Sequence, residues 1–138
     1  MRDAMRQRTQ EFQRRLKDDS IDVAIITDED SIAWFAGYWG YLGVEFGRPT
    51  MLVVPSEGAP SVITPLMESA MAGAMTWVEN VRPWQDARGP DHWDEVLADV
   101  VKPAPGLKVG IERLKMPSLI GQFVEETYGA GQLYDISR

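Results

Sequence analysis

A single histidine, His92, stands beside Asp91, Asp94 and Glu95, and an imidazole among carboxylates is the composition of a metal site or an acid–base pair. Carboxylates are also favoured at any helix N-terminus by the dipole alone, and no second group of ligands converges on this one. The economical reading is a solvated helix start. Asp28-Glu29-Asp30-Ser31 offers the same choice. As an acidic ligand cluster it lacks partners; as a cap, Asp28 or Asp30 would hold the first turn of a short helix through Trp34 and Phe35. The chain contains no nucleophile elbow, no phosphate-binding glycine loop, no dinucleotide fingerprint and no zinc-peptidase motif.

Residues 37–48 are harder to set aside. Trp39, Tyr41, Leu42, Val44 and Phe46 crowd large side chains into a stretch whose Gly37, Gly40, Gly43 and Gly47 read as loop. These glycines are too loosely spaced to cradle a phosphate, and they suit sharp turns between bulky neighbours. Buried, the aromatics would cap a sheet; exposed, they would form a patch for a partner or ligand. Arg48 closes the stretch. It is equally suited to bidentate capture of a carboxylate and to an ion pair within the fold.

Elements on either side must hold that loop. Met5, Phe12 and Leu16 at helical spacing predict a first helix over about residues 2–17. Asp18-Asp19-Ser20 ends it, and Ile21 to Ile26 is a buried strand leading to the acidic turn. Met51 to Val54 and Ser61 to Thr64, separated by a Gly/Pro turn, read as a hairpin. Thr64-Pro65 has the form of a helix N-cap with Pro at the first helical position. Leu66, Met67, Ala70, Met71, Ala74 and Met75 would then be the core face of the helix that follows. A Met-rich stripe can also serve as a soft-metal or adaptable binding surface, but helical spacing without His or Cys points to core. Trp77 to Trp84 predicts a strand, with Pro83 marking its end or a sheet edge. Gly89-Pro90-Asp91 opens a helix with Trp93, Val96, Leu97, Val100 and Val101 along one face. Lys108 to Glu112 is a short strand. Met116-Pro117-Ser118 starts a last helix with Leu119, Ile120, Phe123, Val124 and Tyr128 inward, closed by Gly129 and Gly131, and Leu133 to Ile136 is a sixth strand. The pattern is an α/β sandwich on a mixed sheet, antiparallel early and parallel late.

The totals agree with one domain of ordinary globular composition. The 138 residues are 44% hydrophobic and 25% charged, enough for a single continuous core. There is no Cys and no apolar run near the roughly 18 residues a membrane span needs. The basic N-terminus lacks the apolar segment of a secretory signal, so a cytoplasmic protein without membrane contact is expected. The net charge of −7 is uneven: residues 1–17 hold six Arg or Lys against two acids, and the remainder holds eight against nineteen. So acidic a body repels phosphate backbones and argues against nucleic acid as a partner.

The order of IDVAIITDEDSIAWFAGYWG, RPTMLVVPSEGAPSVITP, WVENVRPW, KVGIE and LYDIS resembles the N-terminal domain of the creatinase/prolidase/Xaa-Pro aminopeptidase family. The counterparts of its motifs are Asp22 to Asp28, Phe35-Ala36-Gly37-Tyr38, Arg48 to Pro55 and Pro60 to Pro65, and the likeness covers essentially the whole chain. The resemblance implies a ribonuclease H-like three-layer sandwich with a mixed six-stranded sheet flanked by helices. It implies residues 1–138 as one non-catalytic domain, with the catalytic C-terminal domain absent. That domain would hold two divalent metal ions in a peptidase, and none in a creatinase-like enzyme, so no cofactor is expected here. Expected partners are the chain's own catalytic domain and a homodimer partner whose substrate pocket this domain completes. By the same resemblance Phe46 and Arg48 are the substrate-contacting residues, the Arg holding a carboxylate; Trp39 and Tyr41 join them by position in the loop. The alternative is a free-standing protein- or peptide-binding module, similar to catalytically dead members of the family.

Overall fold

A computed structural model of the protein describes residues 2–38, 49–85 and 92–137. Its centre is β1 (Val23–Ile26), buried along its whole length. A strand covered on both faces needs apolar residues at every position, and VAII supplies them. β1 pairs antiparallel with β2 (Met51–Pro55), Ile26 opposite Leu52, and parallel with β5 (Val109–Ile111), Val23 opposite Val109. β3 (Ser61–Pro65) lies antiparallel to β2, β4 (Asn80–Trp84) parallel to β3, and β6 (Leu133–Asp135) parallel to β5. The order across the sheet is β4-β3-β2-β1-β5-β6, antiparallel in the β1–β2–β3 meander and parallel at both flanks. This is the mixed six-stranded sheet expected from the residues.

Strand alternation divides the core in two. Val23 and Ile25 point to one face, where α4 (Trp93–Val100) and α5 (Ser118–Tyr128) cover them with Trp93, Leu97, Ile120 and Val124. Ala24 and Ile26 point to the other, under α1 (Arg2–Asp18), α2 (Glu29–Ala36) and α3 (Ser69–Met75). Each fully buried Leu or Ile here contributes about 1.5–3 kcal/mol by leaving water. α1 is seated by Leu16, by Phe12 stacked on Phe35 at 4.9 Å, and by Gln13, whose amide donates to the carbonyls of Pro55 and Gly58 at 2.8 Å each. Among the described residues no helix is long and apolar enough to cross a membrane.

Three expectations need correction. Thr64 and Pro65 do not start a helix: they complete β3, where Thr64 faces Pro83 of β4 and its hydroxyl lies 3.0 Å from that of Thr50. Pairing with β4 and the Thr–Thr bond outweigh the capping signal, and a 3-10 turn (Leu66–Glu68) precedes α3. The Met-rich stripe is not core either. Leu66 (46% exposed), Met67 (68%), Met71 and Met75 face outward, while Glu68, Ala72 and Thr76 face the sheet. Lastly, Leu119 points outward, because α5 buries the i, i+4, i+8 row of Ile120, Val124 and Tyr128.

Candidate functional site

The carboxyl ends of β1, β3 and β4 and the amino end of β2 all lie at one end of the sheet, since Ile26 pairs with Leu52, Met51 with Ile63 and Pro65 with Trp84. Both ends of the 39–48 stretch are attached there. Trp39, Tyr41, Phe46 and Arg48 themselves lie outside the described residues, so the site is built from its frame.

On the leading side, α2 delivers the chain to Tyr38. Asp28 is its N-cap, accepting from the Ser31 backbone N–H at 3.1 Å, while Asp30 sits within the first turn. Of the two capping candidates Asp28 is therefore the cap. α2 ends at Gly37 in the left-handed region (φ 76°), where a Cβ would come within 2.7 Å of the Met5 sulfur. The left-handed φ is what favours glycine here, since the Met5 thioether is the far end of a flexible side chain and could shift. Tyr38 is then fully buried and donates its hydroxyl to Glu68 Oε2 at 2.5 Å, tying the loop's start to the turn before α3. The Thr76 hydroxyl donates to the Ala36 carbonyl, and the Trp77 indole to the Phe35 carbonyl at 2.7 Å. On the returning side, the buried Trp84 indole donates to the Pro49 carbonyl at 3.0 Å, and Thr50 meets Thr64. The described residues on either side of the 39–48 stretch are thus held by buried or part-buried hydrogen bonds between different elements. Leu66, Met71 and Met75, in the 3-10 turn after β3 and in α3, are exposed.

Elsewhere the polar residues resolve into ordinary roles. His92 occupies the N-cap position of α4, half-exposed, with Nδ1 3.5 Å from Glu95 Oε1. Gly89, Pro90 and Asp91, expected to open that helix, lie outside the described residues. Among the described residues no three His, Asp or Glu side chains are grouped so that they could share a metal ion. Burial pushes the Tyr128 phenol up to about 12, and its hydroxyl donates to the Val101 carbonyl at 2.6 Å. Glu112, just past β5, is a buried carboxyl whose pKa is raised by loss of water around it. Sequence reasoning passed over Tyr38, Glu68 and Glu112. For Glu112 a signal existed: strand alternation puts Gly110 and Glu112 on the side opposite Val109 and Ile111, a face with nothing apolar to bury.

The family model described as Creatinase/Prolidase N-terminal domain matches residues 8–138. A curated relative from Rhizobium rhizogenes, described as agropine synthesis cyclase, is 26% identical over 137 residues, covering 94% of this chain and 34% of its own length. The chain thus spans about a third of that relative. Among solved structures, a proline dipeptidase from Streptococcus pneumoniae superposes with a TM-score of 0.78 at 16% identity, covering 94% of this chain and 90% of that one. The creatinase/prolidase N-terminal domain of an X-Pro dipeptidase from Streptococcus pyogenes gives 0.75 at 19% identity, covering 93% and 98%. A prolidase from Thermococcus sibiricus gives 0.74 at 21% identity, covering 94% of this chain and 34% of that one. At such identities the superpositions establish the fold.

Proposed function

Because the chain belongs to the creatinase/prolidase N-terminal domain family, we propose that it is the non-catalytic domain of a larger hydrolase, an Xaa-Pro aminopeptidase or dipeptidase or a creatinase-like enzyme. The family match over residues 8–138 carries this reading. In it, the domain contributes dimer contacts and lends residues 39–48 to the substrate pocket of the neighbouring subunit. Arg48 holds a substrate carboxylate through paired N–H donors, Phe46 supplies an apolar wall, and Trp39 and Tyr41 border it. The frame supports the reading. A loop that completes another subunit's pocket must start and finish at fixed points, and Tyr38–Glu68 and Trp84–Pro49 supply them. Any metal in the reaction belongs to the joined catalytic domain. The Rhizobium rhizogenes relative is described as a cyclase, which leaves room for chemistry other than peptide-bond hydrolysis in the parent protein.

A second reading, a protein- or peptide-binding module, draws on the outward face of Leu66, Met71 and Met75; adaptable Met-rich surfaces suit varied apolar partners. One assay decides whether the chain itself is catalytic. Residues 1–138 incubated with an Xaa-Pro dipeptide and divalent metal are expected to release no proline, and metal-dependent hydrolysis would overturn the proposal.

A further inference from the structure

Strands β1 and β5 run side by side and parallel, yet the chain leaves their carboxyl ends toward opposite faces of the sheet. After β1 it enters α2, which packs Ile32 and Ala36 over Ala24 and Ile26; after β5 it enters α5, which packs Ile120 and Val124 over Val109 and Ile111. Divergence of this kind opens a crevice, and ligands of open α/β sheets sit in such crevices. A groove of about 500 Å³ is found here, on the α1–α2 side of β5 and β6. Phe12 and Phe35 form its helix wall, and Ile26 and Ile136 its sheet wall. Gly110 makes the floor possible, because a Cβ there would come 2.9 Å from Cγ2 of Ile136. The size falls in the range of small-molecule pockets, about 300–1,000 Å³.

The polar end of the groove is short of hydrogen-bond donors. Glu112 is 9% exposed, and its Oε1 is buried with no hydrogen-bond partner. Its Oε2 lies 3.0 Å from the Ser31 hydroxyl, but that hydroxyl also lies 3.0 Å from Asp28 Oδ2. A hydroxyl has one proton to give, and Asp28 competes for it although the Ser31 backbone N–H already serves Asp28 at 3.1 Å. Lys115 lies 3.4 Å from Asp28, and no hydrogen bond joins it to Glu112 among the described residues. Along the lining, Asp19, Glu112 and Asp135 stand against one cation, Arg15. Holding a carboxyl in this state costs stability, which the Ser31 hydroxyl offsets at Oε2 alone among the described residues. Costs of this kind are kept at functional sites.

We infer that this groove binds a small organic cation, an ammonium or amidinium head on an aryl or alkyl body. The head adds donors to the Glu112 carboxyl, which the Ser31 hydroxyl serves only in part, and the body lies between Phe12, Phe35 and Ile136. The inference stands whether or not residues 39–48 serve a neighbouring active site.

The test is an amide correlation spectrum of the 138-residue chain titrated with phenethylammonium at neutral pH, with phenethyl alcohol and phenylacetate as the neutral and anionic counterparts. Saturable shifts are expected at Ser31, Phe35, Glu112 and Ile136, with both counterparts weaker by about tenfold or more. Glu112→Gln keeps the shape and removes the charge, and it is expected to raise the Kd for phenethylammonium by about tenfold while the spectrum stays folded. Absence of saturable shifts in the unsubstituted chain overturns the inference. So does equal affinity for phenethyl alcohol, or an unchanged Kd in Glu112→Gln.

Discussion

Helices α3 and α4 lie on opposite faces of the same two strands, β3 and β4. α4 packs Trp93 and Leu97 onto Ile63 and Trp84, and its apolar stripe is its inner face. α3 sets Ala72 over Val62 and turns Met71 and Met75 outward. Both sequences carry apolar residues at helical spacing, so spacing alone does not say which side of a helix is buried. Beneath α3 the deciding contacts are polar. Glu68 receives the Tyr38 hydroxyl, and Thr76 bonds the Ala36 carbonyl and receives the Val78 backbone N–H at 3.1 Å. These bonds need the small and polar side of the helix to face inward, and the bulky side is what remains for solvent or a partner.

The comparison can be broken by substitution, and the largest effect belongs to α4. Leu97→Ala removes a side chain with no exposed surface and is expected to cost about 2–5 kcal/mol in urea unfolding. Tyr38→Phe is next: it takes the hydroxyl donor from the buried Glu68 and is expected to cost about 1–3 kcal/mol. A cost near zero would show that polar contacts do not set the phase of α3. Met71→Gln, on the outward face, is expected to change unfolding by no more than about 0.5 kcal/mol. A loss as large as that of Leu97→Ala would restore the stripe to the core.

Glu112 adds a pH dependence. Its folded pKa is raised, by burial first and by the nearby Asp28 and Asp135 charges after that, while the Ser31 hydroxyl and Lys115 pull the other way. A raised carboxyl binds its proton more tightly when folded, so its favourable contribution is complete below the ordinary value of 4.5 and is lost as the pH climbs through the raised folded pKa. Thermal melts should therefore show Glu112→Gln stabilising the chain at neutral pH, with the gain shrinking as the pH falls through the raised folded pKa and gone by the ordinary value of 4.5. A gain independent of pH would mean that the carboxyl is not held off its ordinary pKa.

What could be read from residues follows what each signal encodes. VAII, MLVV and SVIT are apolar at every position because both sheet faces are covered, and such runs leave little choice but a buried strand. Asp28 capping α2 is a local bond between residues three apart, which a sequence can display. Thr64 failed because its fate depends on Thr50 and Pro83, far away in the chain. Glu112 is a middle case: alternation sets it off the apolar side of β5, but its burial beside Ser31 depends on a contact far away in the chain. Residues 39–48 were marked by composition and, for Phe46 and Arg48, by the family resemblance, and their frame, not their side chains, is what the fold adds.

The proposed service of this domain to chemistry in a neighbouring subunit is tested most directly by kcat/KM of the full-length parent protein carrying Arg48→Ala, with its dimer checked by sedimentation. The expected result is a dimer that has lost about 2–5 kcal/mol of transition-state or substrate binding, the cost of leaving a buried carboxylate unpaired. An unchanged kcat/KM in an intact dimer would contradict it and return Arg48 to an ion pair within the fold.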